Sequence, residues 1–223
     1  MAKKFHKIVA WHFEDRYYYL FVVLALFILM PPFLIQYAFL SYLIYVLLTL
    51  VIINCVLILF DHSKRSEYGL LLLVMTLVFI WVSVTQQWQD PRLQLLKLML
   101  ITGFFIATYG KMVREIFKME KVSAKVVVGG IGAYLLLGLI GAFLFEMVEV
   151  MVPGSFTKMD VFTGFYAQVY YSFVTISTLG YGDITPLTPQ GQAIAILVSL
   201  SGQIYLAVLM AMLVGKFLKD SDS

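Results

Sequence analysis

From Tyr17 to Phe60 the chain carries no charged residue, and its clearest break is Pro31-Pro32. A helix that crosses the hydrocarbon layer needs about 20 mostly apolar residues. The stretch is therefore too long for one span and fits two, parted at the prolines, where helix hydrogen bonding fails. The same pattern predicts further spans over Tyr68–Gln86, Leu93–Tyr109, Val126–Phe145 and Pro189–Phe217. Between the last two lies Val161–Ile176, apolar and helix-compatible in spacing but too short to cross. The expected fold is an all-α membrane protein with six transmembrane helices and one re-entrant helix with the loop that follows it.

Composition agrees: 61% hydrophobic and 13% charged residues exclude an ordinary soluble domain. Charge gives the expected sidedness. With the N-terminus inside, the cytoplasmic side holds all but Arg92, Lys97 and Lys158 of the 16 basic residues, as the positive-inside rule requires. Asp90, Glu146, Glu149, Asp160 and Asp183 fall on or near the outside. A multi-pass protein of the cell membrane with both termini cytoplasmic is expected, and the net charge of +3 calls for no nucleic-acid partner. The first apolar stretch is long and no small-residue cleavage site follows it, so no cleaved signal is expected. Lys3–Arg16, with Phe5, Ile8, Trp11 and Phe13, has the pattern of an interfacial helix. Cys55 is the only cysteine, which leaves no intrachain disulfide.

The polar, glycine-rich run Thr178-Leu179-Gly180-Tyr181-Gly182-Asp183 is the chemistry-bearing segment. Backbone that is neither helix nor strand survives at membrane depth only where it is buried in protein or lines a water-filled path. Two glycines flanking a tyrosine can hold the chain extended with its carbonyls turned to one side. A half-helix over Phe162–Thr175 would aim the negative end of its dipole at a cation below the run. With Thr175 and Thr178 in register, the segment resembles the selectivity filter of tetrameric potassium channels of prokaryotic type, in which carbonyls replace the hydration shell of the ion.

The resemblance covers residues 17–217 and is specific over about 160–203. It implies a homotetramer, with bound K+ in the filter and no other cofactor. Thr178 would supply a hydroxyl and a carbonyl, Leu179, Gly180 and Tyr181 carbonyl rings, and Gly182 the outer mouth. Leu179 replaces the commoner valine, so changed packing is expected there. Tyr170 stands where many such channels carry tryptophan, and its phenol is expected to hold Asp183 and brace the filter. Val174 occupies a position that is glutamate in some bacterial channels, so that buttress is missing. Gly202 falls at the gating hinge of the inner helix, with close helix packing as the competing reading. Of Glu146 and Glu149, one is expected to bond the pore-helix region and the other to concentrate cations at the mouth.

This plan divides the chain into an N-terminal interfacial segment (1–16), a four-helix voltage-sensor-like domain (17–110), a cytoplasmic linker helix (111–125), a pore domain (126–217) and a short tail (218–223). Voltage sensors need several charges per subunit in the field. The fourth span offers only Arg92 and Lys97, with no charge from Leu98 to Gly110. No steep voltage gating is expected. Lys111–Lys125 is basic enough to meet anionic lipid headgroups. Six residues follow Phe217, so no attached nucleotide or calcium module is expected, which leaves room for a separate regulatory subunit. His6, His12 and His62 are unclustered. With no metal-ligand cluster, no Ser/His/Asp arrangement and no P-loop, an enzyme is not expected. A non-selective cation channel and a non-conducting or regulatory channel subunit remain as alternatives.

Overall fold

A computed structural model describes residues 16–34, 41–59, 90–119, 123–157 and 165–221. The interfacial helix expected before Arg16 and the span expected over Tyr68–Gln86 lie outside the described residues. The helices are α1 (Arg16–Leu29), α2 (Pro31–Leu34), α3 (Ser41–Leu59), α4 (Pro91–Lys118), α5 (Ala124–Met151), α6 (Phe165–Ile176) and α7 (Pro189–Ser221). Among the described residues three helices, α4, α5 and α7, are long and apolar enough to cross a membrane. Among the described residues every regular element is a helix, which fits an all-α membrane protein.

The described residues fall into two compact units, one with residues up to 86 and 110–133, the other with 87–109 and 134–223. In the first unit α1 ends at Leu29, and the prolines open the short α2 instead of merely ending a helix. Proline suits a first helical position, where its missing N–H leaves no bond unmade. Tyr17, Leu20, Leu24 and Phe27 are buried on one face of α1, at the spacing of a helical stripe. The face packs on α3, which buries Val51, Ile52, Cys55 and Ile58.

Sequence spacing separates a fourth span from a linker helix at Gly110, yet α4 runs unbroken to Lys118. One glycine costs a helix about 1 kcal/mol, and local bonds offset that cost. Glu115 lies 3.6 Å from Lys111 at i,i+4 and 2.5 Å from Arg16 of α1, and accepts the Tyr17 hydroxyl. Lys111 also donates to the Leu59 carbonyl at the end of α3, at 2.9 Å. Met112 and Ile116 are buried beside these polar contacts.

In the second unit α5 is the central helix. Its most apolar window is 67% buried, against 22% in α4 and in α7, which keep broad apolar faces uncovered. Asp90 caps α4 through the Arg92 amide at 2.9 Å, with Pro91 in the first helical position. Thr188 and Pro189 do the same for α7, where the Gly191 amide donates to Thr188 Oγ1 at 3.2 Å. Phe105 of α4 stacks on Phe143 of α5, and Phe143 meets Phe165 at the start of α6. The core beneath α6 is Phe145, Val148, Phe156, Tyr171, Ile176, Ile184 and Val198.

Candidate functional site

The end of α6 ties down the run that follows it. The Ser177 amide donates to Phe173 O at 3.2 Å and the Thr178 amide to Thr175 O at 3.0 Å. The amides of Leu179 and Gly180 both turn back to Val174 O, at 3.0 and 3.2 Å. Val174 thus contributes its carbonyl, the group that every residue type offers, and its side chain is buried. Carbonyls that a helix end leaves open are satisfied by the next residues, and those residues gain a fixed orientation.

The backbone then alternates in hand. Thr178, Gly180 and Gly182 have φ of 61°, 56° and 82°, and Leu179 and Tyr181 between them stay outside the left-handed region. Such alternation turns successive amides to one edge of the chain, the geometry of an anion nest, and successive carbonyls to the other. Among the described residues no carbonyl from Thr178 to Gly182 accepts a hydrogen bond. A row of unpartnered, co-directed carbonyls is suited to a dehydrated cation. For a β-branched residue φ near 60° is an outlier, and strain of about 1–3 kcal/mol at such a residue is characteristic of ligand sites. Leu179 and Tyr181 are 54% and 67% exposed in the single chain.

Beyond the run, residues 183–187 are held by the loop after α5. Thr157 and Thr185 exchange backbone and side-chain bonds at 3.0 and 2.8 Å, and Phe156 bridges Pro186 in antiparallel fashion. The Leu187 amide donates to Ser155 O at 2.7 Å. Glu149 braces this loop: its two carboxylate oxygens accept the amides of Gly154 and Ser155 at 2.8 and 3.0 Å. Its partners are therefore in the loop and not in α6. Glu146, one turn earlier on α5, is partly buried.

The structure brings Tyr170 and Asp183 together, the phenol donating to Asp183 Oδ2. The Ile184 amide donates to Oδ1 at 2.9 Å. The phenolic bond is the main cause that holds the Asp183 carboxyl below its ordinary value of 3.8, and the Ile184 amide adds to it. The same bond pushes Tyr170 up to about 12. A carboxyl with a depressed value contributes stability that is present above the ordinary value and is lost as pH falls through the depressed one. Tyr170→Phe is expected to return Asp183 toward the ordinary range, so the loss of stability in acid moves to higher pH. Thermal melting followed against pH checks it, and an unmoved acid limb would show that the pair does not brace this loop.

Glycines and one serine that sequence spacing does not single out let α5, α6 and α7 pack closely. Gly138 of α5 accepts the Ser172 hydroxyl at 2.6 Å, and a Cβ on Gly141 would lie 2.4 Å from that oxygen. From α7, a Cβ on Gly202 would stand 2.3 Å from Ile176 Cγ1 and 2.5 Å from Ile176 O. Gly202 is thus a point of closest approach between α7 and the end of α6. The sequence shows Gly138 and Gly141 as small residues in an apolar span, the kind that lets helix backbones approach closely.

Residues 133–219 match the family model described as ion channel. The voltage-gated potassium channel of Aeropyrum pernix is 36% identical over 88 residues, which is 40% of this chain and 28% of that protein. The A-type voltage-gated potassium channel KCND3 of Homo sapiens is 31% identical over 84 residues, 38% of this chain and 13% of that protein. The chain thus spans less than a third of the length of either relative. No solved structure matches it.

Proposed function

We propose that this chain, whose residues 133–219 match the ion-channel family model and are similar to potassium channels, forms a potassium-selective channel that mediates passive K+ flux across the cell membrane. The alternating backbone at Thr178–Gly182, with its amides tied to α6 and its carbonyls unbonded, carries the reading. One chain offers one row of carbonyls, and enclosing a dehydrated ion takes several. The uncovered Leu179 and Tyr181 and the apolar faces of α7 supply surface for further copies. A cyclic homotetramer with the filter on its axis satisfies these needs together. Bound K+ is then the cargo.

The first four helices serve this channel without acting as a steep voltage sensor. In α4 the only charges before Lys111 are Arg92 and Lys97, near the helix start. Each charge moved through the field is worth about 2.3 kcal/mol per 100 mV, so two near one end give weak voltage dependence. The basic end of α4 and the residues to Lys125 would lie at the cytoplasmic surface, against anionic lipid.

The purified full chain in a planar bilayer, with K+ opposite Na+ and voltage swept in both directions, tests the proposal. The expected result is a reversal potential far toward the K+ equilibrium value and an open probability nearly flat with voltage. A reversal near zero would make it a non-selective cation channel. A steep activation curve would overturn the voltage-insensitive reading. Absence of flux at every pH and lipid composition would make it a non-conducting subunit.

A further inference from the structure

The Ile176 carbonyl, the last of α6, lies immediately before the filter and is approached from two other helices. From α5 the Tyr134 hydroxyl donates to it at 3.1 Å. From α7 Gly202 reaches it so closely that no Cβ fits between them. The Tyr134 ring also lies against Tyr205 of α7, with centroids 6.0 Å apart and planes at 24°. Tyr205 in turn meets Tyr109 of α4 at 6.0 Å. Ile176 and Tyr205 are both buried and Tyr134 and Tyr109 are partly buried, so the carbonyl and the Tyr205 ring are the sheltered members of the set. Offset aromatic pairs at this separation hold their rings in register, and a tyrosine clamped by its ring has its hydroxyl aimed.

We propose that Tyr134 is a positioning residue for the filter: its hydroxyl sets the level of the Ile176 carbonyl, and its ring, through Tyr205, ties that carbonyl to α7. The inference rests on the channel reading and adds a link within one chain from the inner helix to the base of the filter. Displacement of α7 near Tyr205 turns the Tyr134 ring and lengthens the bond from its hydroxyl to the Ile176 carbonyl. The carbonyls of Thr178 and Leu179 follow, since the amides of the run hang from the same helix end.

The test uses the full chain with Tyr134→Phe, Tyr205→Ala and the double variant. The readouts are the conducting lifetime in bilayers and the K+ concentration that half-protects the assembly against heat. Tyr134→Phe keeps the ring and removes the hydrogen bond. A lost neutral bond of about 1 kcal/mol corresponds to roughly fivefold, expected as a shorter lifetime and a higher K+ midpoint, with the assembly's melting without K+ unchanged. Tyr205→Ala is expected to do the same, and the double variant to be no worse than Tyr205→Ala alone. Wild-type lifetime and midpoint in Tyr134→Phe overturn the inference, as do single effects that multiply in the double variant. If Tyr134→Phe does not assemble, an unchanged midpoint in Tyr205→Ala overturns it. A wild-type chain with neither flux nor K+ protection overturns the channel reading instead.

Discussion

Gly202→Ala is expected to abolish K+ flux by preventing the pore from closing up, and not by stiffening α7. The added Cβ would stand 2.5 Å from the Ile176 carbonyl oxygen, a backbone atom at the base of the filter, and 2.3 Å from Ile176 Cγ1. The side chain can turn aside, but the carbonyl can retreat only by carrying the filter with it. Overpacking of this kind costs about 1–3 kcal/mol, and a ring of four chains would bear it four times. Gly215→Ala on the same helix is the comparison, since nothing lies within 4 Å of a Cβ there. There the better helix propensity of alanine is worth about 1 kcal/mol in the opposite sense. Size-exclusion chromatography and liposome flux on the two variants separate the readings. A Gly202→Ala channel that assembles and conducts with altered open probability would return the position to the role of a hinge.

That contrast shows what the sequence made legible and where it stopped. The unusual backbone of Thr178–Gly182 was readable because glycine at 180 and 182 marks conformations that other residues resist, and the two have the positive φ that such marking implies. The left-handed Thr178 was not readable, since nothing in a threonine announces strain. The break at the prolines was legible from their missing N–H. The unbroken α4 was not, because Arg16 and Lys111 meet Glu115 across 99 and 4 residues, and only the nearer pair is a sequence pattern. Glu149 shows the same limit. Its charge and its place at the outer end of a span were plain, but the loop that turns back onto it sets its partners. Gly202 was visible as a glycine, and its neighbour Ile176 was not.

Gly180→Ala is expected to remove K+ flux from an otherwise folded protein. Its φ of +56° lies in the left-handed region, and no atom lies within 4 Å of the position a Cβ would take. The cost is therefore in the backbone: about 1–2 kcal/mol for an L-residue held at that angle, borne once per chain in the proposed ring of four. The strain is relieved by letting residue 180 return to negative φ. That ends the alternation between Thr178 and Gly182 and turns one carbonyl away from its row. Helix content should be unchanged, while liposome flux falls at least tenfold, the factor that corresponds to about 1.4 kcal/mol. Gly154→Ala isolates the cause, because Gly154 has φ of +83° and equally open space but sits in the loop after α5. It bears the same backbone cost without touching the carbonyl row, so Gly154→Ala should conduct. Equal loss in both variants would mean that flux reports general stability, and the alternating backbone would lose its claim as the ion path.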